Sequence, residues 1–324
     1  MTQRVLAGIR ATGKLHLGNY LGALQGMLEL QNKSEFETLF MVADVHTLTT
    51  PYNVAELRTN RREVIIDYLA AGLDPKRSIL FQQSAVNAHL ELAFYFSSVT
   101  TIAKMQHLPT FKDKVKQHPD HATMALLNYP ILMASDILIY KAQLVPVGID
   151  QEPHLEVTRE IARRMNQDYG TSFPEPKSFK TAGEYIPSLT GEGKMSKSVE
   201  GSYINLTDDL DTIVKKIRSV PTATQAGGEK SAGLQALFTF LTLLIPEKTE
   251  YFEQAYQGGT LKFVELKDTI AQAIFAQLAP FQERRLTLQN DPSYVDSVIS
   301  EGNAKARAIA EATTLEVRTL LGLA

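Results

Sequence analysis

Val5-Leu6-Ala7-Gly8-Ile9-Arg10-Ala11-Thr12-Gly13-Lys14-Leu15-His16-Leu17-Gly18-Asn19 is an apolar run, then a small-residue loop, then a polar helix start. The apolar run has the length and composition of a buried strand. The loop behind it offers free backbone N–H groups and the positive end of a helix dipole, a setting that suits phosphate. Leu39-Phe40-Met41-Val42-Ala43 and Ser78-Ile79-Leu80-Phe81 repeat the strand signal, and between them Val54 to Ala71 carries a helical pattern with Gly72 as its stop. Leu144-Val145-Pro146-Val147 reads as a later strand that ends at Gly148 and leads to a helix over His154 to Met165. This alternation predicts an α/β fold with a doubly wound parallel sheet, Rossmann-like, over residues 1–203.

After Tyr203 the pattern changes. Thr207-Asp208-Asp209 suits a helix cap, with Lys215 and Lys216 in the last turn where the dipole favours cations. A Gly-rich polar segment spans Thr222 to Gly233. Helical patterns then cover Leu234–Leu244, Phe263–Gln289 and Ala304–Leu321, with Pro280 expected to kink or break the second. Residues 204–324 are therefore read as a C-terminal all-α domain.

Composition narrows the chemistry. A chain of 324 residues, 44% hydrophobic, can bury one large core or two. With no cysteine it holds no disulfide, cysteine–zinc site or iron–sulfur cluster, which fits a cytoplasmic protein. No secretory leader pattern precedes Val5, and no apolar run is long enough to span a membrane. The net charge is -3, so any nucleic-acid contact must rest on a local patch.

The first loop supports two readings. Gly8 to Lys14 matches most of a P-loop, Gly-x-x-x-x-Gly-Lys, and Asp44 could end its metal-binding strand. But Leu15 stands where a P-loop needs Ser or Thr for Mg²⁺. The other reading uses His16-Leu17-Gly18-Asn19. There Gly18 would let a base approach the helix backbone, and His16 and Asn19 could donate hydrogen bonds to phosphate oxygens. A plain helix N-terminus explains four residues about as well.

Lys194-Met195-Ser196-Lys197-Ser198 tips the balance. A given five-residue string arises by chance in such a chain with odds on the order of one in ten thousand. Two lysines three apart, after Gly191 and Gly193, can converge on a pyrophosphate as charge grows on it. A solvated basic loop is the plainer alternative. Together the two segments resemble the HIGH-type and KMSKS signatures of class I aminoacyl-tRNA synthetases, the first in the HIGN-like form of the tryptophanyl family.

Tyr129-Pro130-Ile131-Leu132-Met133-Ala134-Ser135-Asp136-Ile137-Leu138-Ile139-Tyr140 extends that resemblance. On a helix Tyr129, Met133, Asp136 and Tyr140 share one face, and a carboxylate in so apolar a stretch needs a donor. A structural Asp paired with a neighbour would satisfy this. The segment is similar to the tryptophanyl family's YPxLMAADILLY, which implies Asp136 as acceptor of the indole N–H and Met133 against the ring. Val145 to Gln151 resembles VPVGxDQ, which implies Val145 and Val147 in the indole pocket, Gly148, Ile149 and Asp150 at the ATP, and Gln151 with Tyr129 near the α-amino group. A tight strand-to-helix turn capped by Asp150 would read the same way. Lys114 matches a lysine that reaches the phosphates, with Lys112 as its rival. The resemblance also implies nucleotide contacts from Arg10, Ala11, Thr12, Gly18, Asn19, Ile186 and Lys194 to Ser198, with His16, Asn19, Lys114, Lys194 and Lys197 catalytic. One departure stands out: the family reads GxQPSG where this chain has Gly8-Ile9-Arg10-Ala11-Thr12-Gly13.

The resemblance covers essentially the whole chain and looks like the bacterial form. It implies ATP-dependent activation of tryptophan and its transfer to tRNA(Trp), with Mg²⁺ accompanying ATP, no protein-built metal site, an anticodon-binding role for residues 204–324, and a homodimer. From Arg218 onward the chain has 10 Lys and Arg against 12 Asp and Glu, so no broad basic stripe marks that part. Arg284, Arg285, Lys305 and Arg307 are its candidates for phosphate contact, against ordinary solvated helix faces. Three rivals remain at this level: a tyrosyl-type synthetase or small nucleotidyltransferase, a P-loop NTPase, and a non-catalytic RNA-binding paralogue.

Overall fold

The structure is a computed structural model and describes residues 2–117, 119–148, 151–179, 186–197, 199–222 and 228–324. Strand β1 (Gln3–Arg10) leads into a short helix, α1 (Leu17–Asn19), a wider π-type turn over Tyr20–Leu24, and α2 (Gln25–Gln31). Next come β2 (Phe36–Ala43), a tight turn over Val45–Thr49, and α3 (Val54–Ala71). They are followed by β3 (Ser78–Gln82), α4 (Ala88–Ser97), α5 (Ile102–His107), α6 (Pro109–Gln117) and α7 (Met124–Leu138). Strand β4 (Leu144–Val145), α8 (Glu152–Tyr169) and β5 (Lys177–Ser178) end the alternating part. The rest is helical: α9 (Leu210–Arg218), α10 (Ala232–Leu244), α11 (Thr249–Gln257), α12 (Phe263–Gln289) and α13 (Pro292–Leu320).

The five strands form one parallel sheet in the order β3-β2-β1-β4-β5. The chain winds outward from β1 to β3 on one side and returns to β4 and β5 on the other. The strand order therefore reverses at β1 and β4, the place where open α/β sheets hold ligands. Val5, Leu6, Ala7 and Ile9 of β1 and Leu39 to Val42 of β2 are buried, as near-continuous apolar strands must be when both faces are covered. Tyr68 of α3 fixes the ends of these strands: its hydroxyl accepts from Ile9 N–H at 3.1 Å and donates to the Met41 carbonyl at 2.9 Å.

Packing divides the chain into two compact units. One contains Met1–Gly13, Met27–Lys180 and Asp291–Ala324; the other contains Lys14–Gly26 and Thr181–Asn290. The sheet lies in the first, and so does the final helix, α13. Sheet edges need cover, and α13 gives it to β3. Asn303 Oδ1 accepts from Gln82 N–H at 2.9 Å, and Arg307 donates to the Ala85 carbonyl at 3.0 Å.

Several elements differ from the sequence expectation. β4 stops at Val145 because Pro146 has no N–H to continue a ladder. Pro280 does not break α12, which runs on through it with Leu278 and Phe281 fully buried on either side. Helix α13 starts twelve residues before Ala304, capped by Asp291, whose carboxylate accepts from Tyr294 N–H at 3.0 Å, with Pro292 in the first turn.

A β-carbon at Gly302 of α13 would lie 1.7 Å from the Leu80 carbonyl oxygen, a backbone atom that cannot swing aside. Gly302→Ala is expected to destabilise the fold by about 1–3 kcal/mol or more, the usual cost of overpacking. A urea unfolding curve with a lowered midpoint and unchanged slope would register it.

Candidate active site

In the sheet-bearing unit, the C-terminal ends of β1, β2 and β4 open into a cavity of about 430 Å³ closed by α6 and α7. Its apolar part is lined by Met41, Met133, Ile137, Val145 and Val147, and Asp136 reaches into it. Asp136 is 5% exposed and has three hydrogen-bond contacts. Gln83 Nε2 donates to both of its oxygens at 2.9 Å, and His89 Nδ1 lies 2.6 Å from Oδ1. Gln83 faces the other way as well, its Oε1 accepting from His46 N–H at 3.1 Å.

The opposite, polar part of the cavity is set by Tyr129, Arg10, His46 and Gln151. Tyr129 donates to Thr110 Oγ1 at 2.7 Å, and its hydroxyl lies 2.6 Å from His154 Nε2. The His46 ring meets the Tyr129 ring edge-on at 5.1 Å. Burial, then Arg10 and His154, depress the His46 pKa to about 3, so this imidazole is neutral at physiological pH. Arg10 Nη2 donates to Thr50 Oγ1 at 3.1 Å, while its buried Nε has no hydrogen-bond partner among the described residues. Lys114 lines the cavity and bonds to Gln117, whereas Lys112 is exposed and not part of the lining.

Asp44, the metal-strand candidate of the P-loop reading, is occupied. Its carboxylate caps the turn at Val45, accepts from Ser84 N–H at 2.8 Å and hydroxyl at 2.5 Å, and pairs with Arg61 at 2.5 Å. Leu15 is buried.

The second unit carries the two signature loops. His16 caps α1 from extended backbone, and its Nδ1 accepts from Asn19 N–H at 3.3 Å. In return Asn19 Oδ1 accepts from His16 N–H at 3.1 Å. This reciprocal box uses the acceptor half of each side chain. What remains is the Nε2–H of His16 and the Nδ2 amide of Asn19, both donors. Burial, reinforced by Lys197 and Lys194, holds the His16 pKa at about 4, which keeps the ring neutral and Nδ1 able to accept. Leu17 N–H donates to the Ile204 carbonyl at 2.8 Å, and Leu206 N–H to that of Leu15 at 3.1 Å. Gln282 of α12 donates to the carbonyls of Leu206 and Asp208 at 2.9 Å each and steadies that segment.

The Lys194 loop is a hairpin-like turn. Met195 N–H donates to the Ile186 carbonyl at 2.9 Å, and Ser188 N–H to that of Gly193 at 3.0 Å. Gly191 and Gly193 both have positive φ, and a β-carbon at Gly191 would strike the Gly233 amide at 2.5 Å. Met195 is buried with its Sδ 3.2 Å from Gly18 N–H, so the two loops touch. A side chain at Gly18 would meet the His16 ring at 3.0 Å and Met195 at 3.2 Å. Lys194 is exposed; Ser196 and Lys197 are half-buried.

The description "tRNA synthetases class I (W and Y)" matches residues 2–279. The tryptophan–tRNA ligase of Treponema pallidum is 39% identical, over 99% of this chain and 97% of its own. The chain belongs to the tryptophan–tRNA ligase family. Among solved structures of class I synthetases, the Mycoplasma pneumoniae tryptophanyl-tRNA synthetase superposes with a TM-score of 0.86 at 30% identity, covering 100% of this chain and 99% of that one. The Campylobacter jejuni enzyme, complexed with ADP and tryptophan, gives 0.86 at 29%, over 99% and 100%.

Of the residues expected at a tryptophan–tRNA ligase site, Arg10, Lys114, Tyr129, Met133, Asp136, Val145, Val147 and Gln151 line one cavity. His16, Gly18, Asn19, Ile186, Lys194, Met195, Ser196 and Lys197 gather in the other unit. Ala11 is buried, Thr12 is exposed, and Gly148 accepts from Gln151 N–H at 2.9 Å; none of the three lines the cavity. Ile149, Asp150 and Ser198 lie outside the described residues. Of the tRNA candidates, Arg285 is buried; Arg284, Lys305 and Arg307 are exposed, Arg307 donating to the Ala85 carbonyl. Sequence reasoning missed Gln83 and His89. Its one usable signal was that Asp136 must have a donor.

Unfolding returns His16 to its ordinary value of 6.5, so the unfolded chain takes up a proton first as pH falls. The stability that the neutral His16 contributes is complete above about 6.5 and drains away toward 4. Nitrogen-15 NMR of labelled histidine is expected to show His16 as the neutral Nε2–H tautomer at pH 7, titrating near 4. A resonance titrating near 6.5 would contradict the capping geometry.

Proposed function

We propose that the chain activates L-tryptophan with ATP and transfers it to tRNA(Trp), the reaction of a tryptophan–tRNA ligase. The observation that carries this is Asp136: an acceptor-only carboxylate in an otherwise apolar part of the cavity. An indole offers one donor and no acceptor, so it satisfies such a group, and a phenyl ring does not. The family match and the tryptophan-bound Campylobacter relative support the same reading. A phenol hydroxyl also donates to a carboxylate; what favours tryptophan over tyrosine is the similarity to tryptophan–tRNA ligases at 39% and 38% identity.

In this reading Asp136 takes the indole N–H while Met133, Val145 and Val147 pack on the ring. Tyr129 and Gln151 receive the α-ammonium group. Arg10, Ala11, Thr12, Gly18, Asn19, Gly148, Ile186, Met195 and Ser196 hold the nucleotide, with Ile149, Asp150 and Ser198 in the same role by resemblance. A carboxylate oxygen of tryptophan attacks the α-phosphorus, the bond to the β-phosphate oxygen breaks, and pyrophosphate leaves. The donors left over by the capping box on His16 and Asn19, together with Lys194, Lys197 and Lys114, stabilise charge on the phosphates. The terminal ribose hydroxyl of the tRNA then attacks the carbonyl carbon and AMP leaves. Mg²⁺ enters with ATP. Its ligands would be phosphate oxygens and water for the most part, as is general for Mg²⁺ bound with a nucleotide.

ATP–pyrophosphate exchange is expected with tryptophan alone among the twenty amino acids. Asp136→Asn should lower kcat/KM for tryptophan by about 10²-fold or more, and Lys194→Ala should lower kcat by roughly 10²–10³-fold, the scale for losing one charge-stabilising group. Exchange with tyrosine would keep the class and overturn the pocket. Because the chain has no tryptophan, substrate binding can be followed by the ligand's own fluorescence.

The same reading makes the chain a cytoplasmic homodimer whose residues 204–324 serve the tRNA anticodon. No helix among the described residues is long and apolar enough to cross a membrane. In support of the dimer, Leu90 and Phe94 lie one turn apart on α4 and are 53% and 77% exposed, with Ile102 at 65% on the next helix. Phe94→Glu is expected to yield a monomer in sedimentation velocity runs that give a dimer for the parent protein.

A further inference from the structure

We propose that His89, locked by Tyr140, is the positioning residue that keeps Asp136 a bare acceptor and leaves its Oδ2 open to a ring N–H. This rests on the tryptophan reading above and deepens it. His89 of α4 is 1% exposed and lies between two partners. Its Nδ1 is 2.6 Å from Asp136 Oδ1, and its Nε2 is 2.8 Å from the Tyr140 hydroxyl. Ser135 donates to the His89 carbonyl at 2.6 Å and pins its backbone; Phe81 packs at 6.2 Å from the imidazole and 5.3 Å from the Tyr140 ring. The ring thus has no freedom to turn away.

The direction of the protons follows from counting donors. Gln83 Nε2 is within 2.9 Å of both Asp136 oxygens, and its other end already accepts from His46, so its amide is oriented as a donor. Both Asp136 oxygens therefore accept. His89 Nδ1 then carries the proton it donates, and in the proposed arrangement Nε2 is the acceptor of the Tyr140 O–H. Burial first, and Asp136 second, raise the Tyr140 pKa, so its hydroxyl keeps the proton that this needs. Oδ1 takes two of the donors and Oδ2 only one. The acceptor capacity left on Oδ2 is the place for the substrate N–H. Without Tyr140 the ring can present a bare Nδ1 to Asp136, a repulsive pair that protonation of the carboxyl relieves. A protonated Asp136 is a donor, and its preference for an N–H ligand disappears.

The test compares tryptophan with β-(3-benzothienyl)alanine, which has sulfur in place of the ring N–H and nearly the same shape. Adenylate formation is measured with both by pyrophosphate exchange on the full-length protein. In Tyr140→Phe, which keeps the buried ring, kcat/KM for tryptophan is expected to fall about tenfold or more, the usual scale for removing an orienting partner. The value for the sulfur analogue should stay within about twofold, so the ratio between the two falls in step. His89→Leu should do the same, and His89→Gln, which retains a donor and an acceptor, should restore part of the ratio. Equal losses for both substrates, or an unchanged ratio in Tyr140→Phe, would overturn the proposal and leave the tryptophan reading intact. A parent enzyme that does not distinguish the two substrates would overturn both.

Discussion

A carboxylate buried in the middle of an apolar helix constrains the sheet-bearing unit more than any single packing contact. Leaving Asp136 unpaired would cost several kcal/mol, more than one apolar side chain recovers by burial. Its contacts come from Gln83 just after β3 and His89 on α4, and His89 is held in turn by Tyr140 beyond the end of α7. The end of the sheet and two helices must therefore meet at one point. The group that organises this part of the core also lines the cavity, so the same carboxylate bears on packing and on the cavity's chemistry.

The signature loops work by a different economy. A short helix leaves its first N–H groups without partners, and His16 and Asn19 supply acceptors to each other's backbone. Each is then left with donors only, which is what a phosphate-facing residue requires. The depressed pKa of His16 belongs to the same arrangement, since a protonated ring would lose the cap. The contact between Gly18 N–H and Met195 Sδ explains why a glycine is needed there: any β-carbon would press on both the His16 ring and Met195.

What could be read from the sequence was what local chemistry decides. Helix α3 runs over the residues its pattern indicated because both ends carry local signals, Asn53 accepting from the Ala55 and Glu56 N–H groups and Gly72 turning left-handed at φ 110°. Strands β1, β2 and β3 were plain because buried parallel strands are continuously apolar. The true start of α13 was missed although Asp291-Pro292 is a capping signal, because the apolar periodicity becomes clear only later. The partners of Asp136 were beyond reach: Gln83 and His89 lie 53 and 47 residues away, and no local pattern links them to it. Nor could a local pattern show that Arg307, on a helix near the end of the chain, donates to the Ala85 carbonyl 222 residues away.

The electrostatics of the cavity follow from these pairings. Tyr129 and Asp136 are seven residues apart on α7, two helical turns or about 10 Å along its axis. The anion sits at one of these positions, and Arg10, which acts on Tyr129, sits toward the other. His46 lies between Gln83 and Tyr129 and is neutral, so it adds no charge to either end. The cavity thus pairs a satisfied carboxylate in its apolar part with a guanidinium whose Nε has no partner among the described residues. A cavity polarised in this way binds best a molecule that carries its hydrogen-bond donor on an apolar ring and its charges at the other end. That pattern excludes phenylalanine, whose ring has no donor to offer the carboxylate.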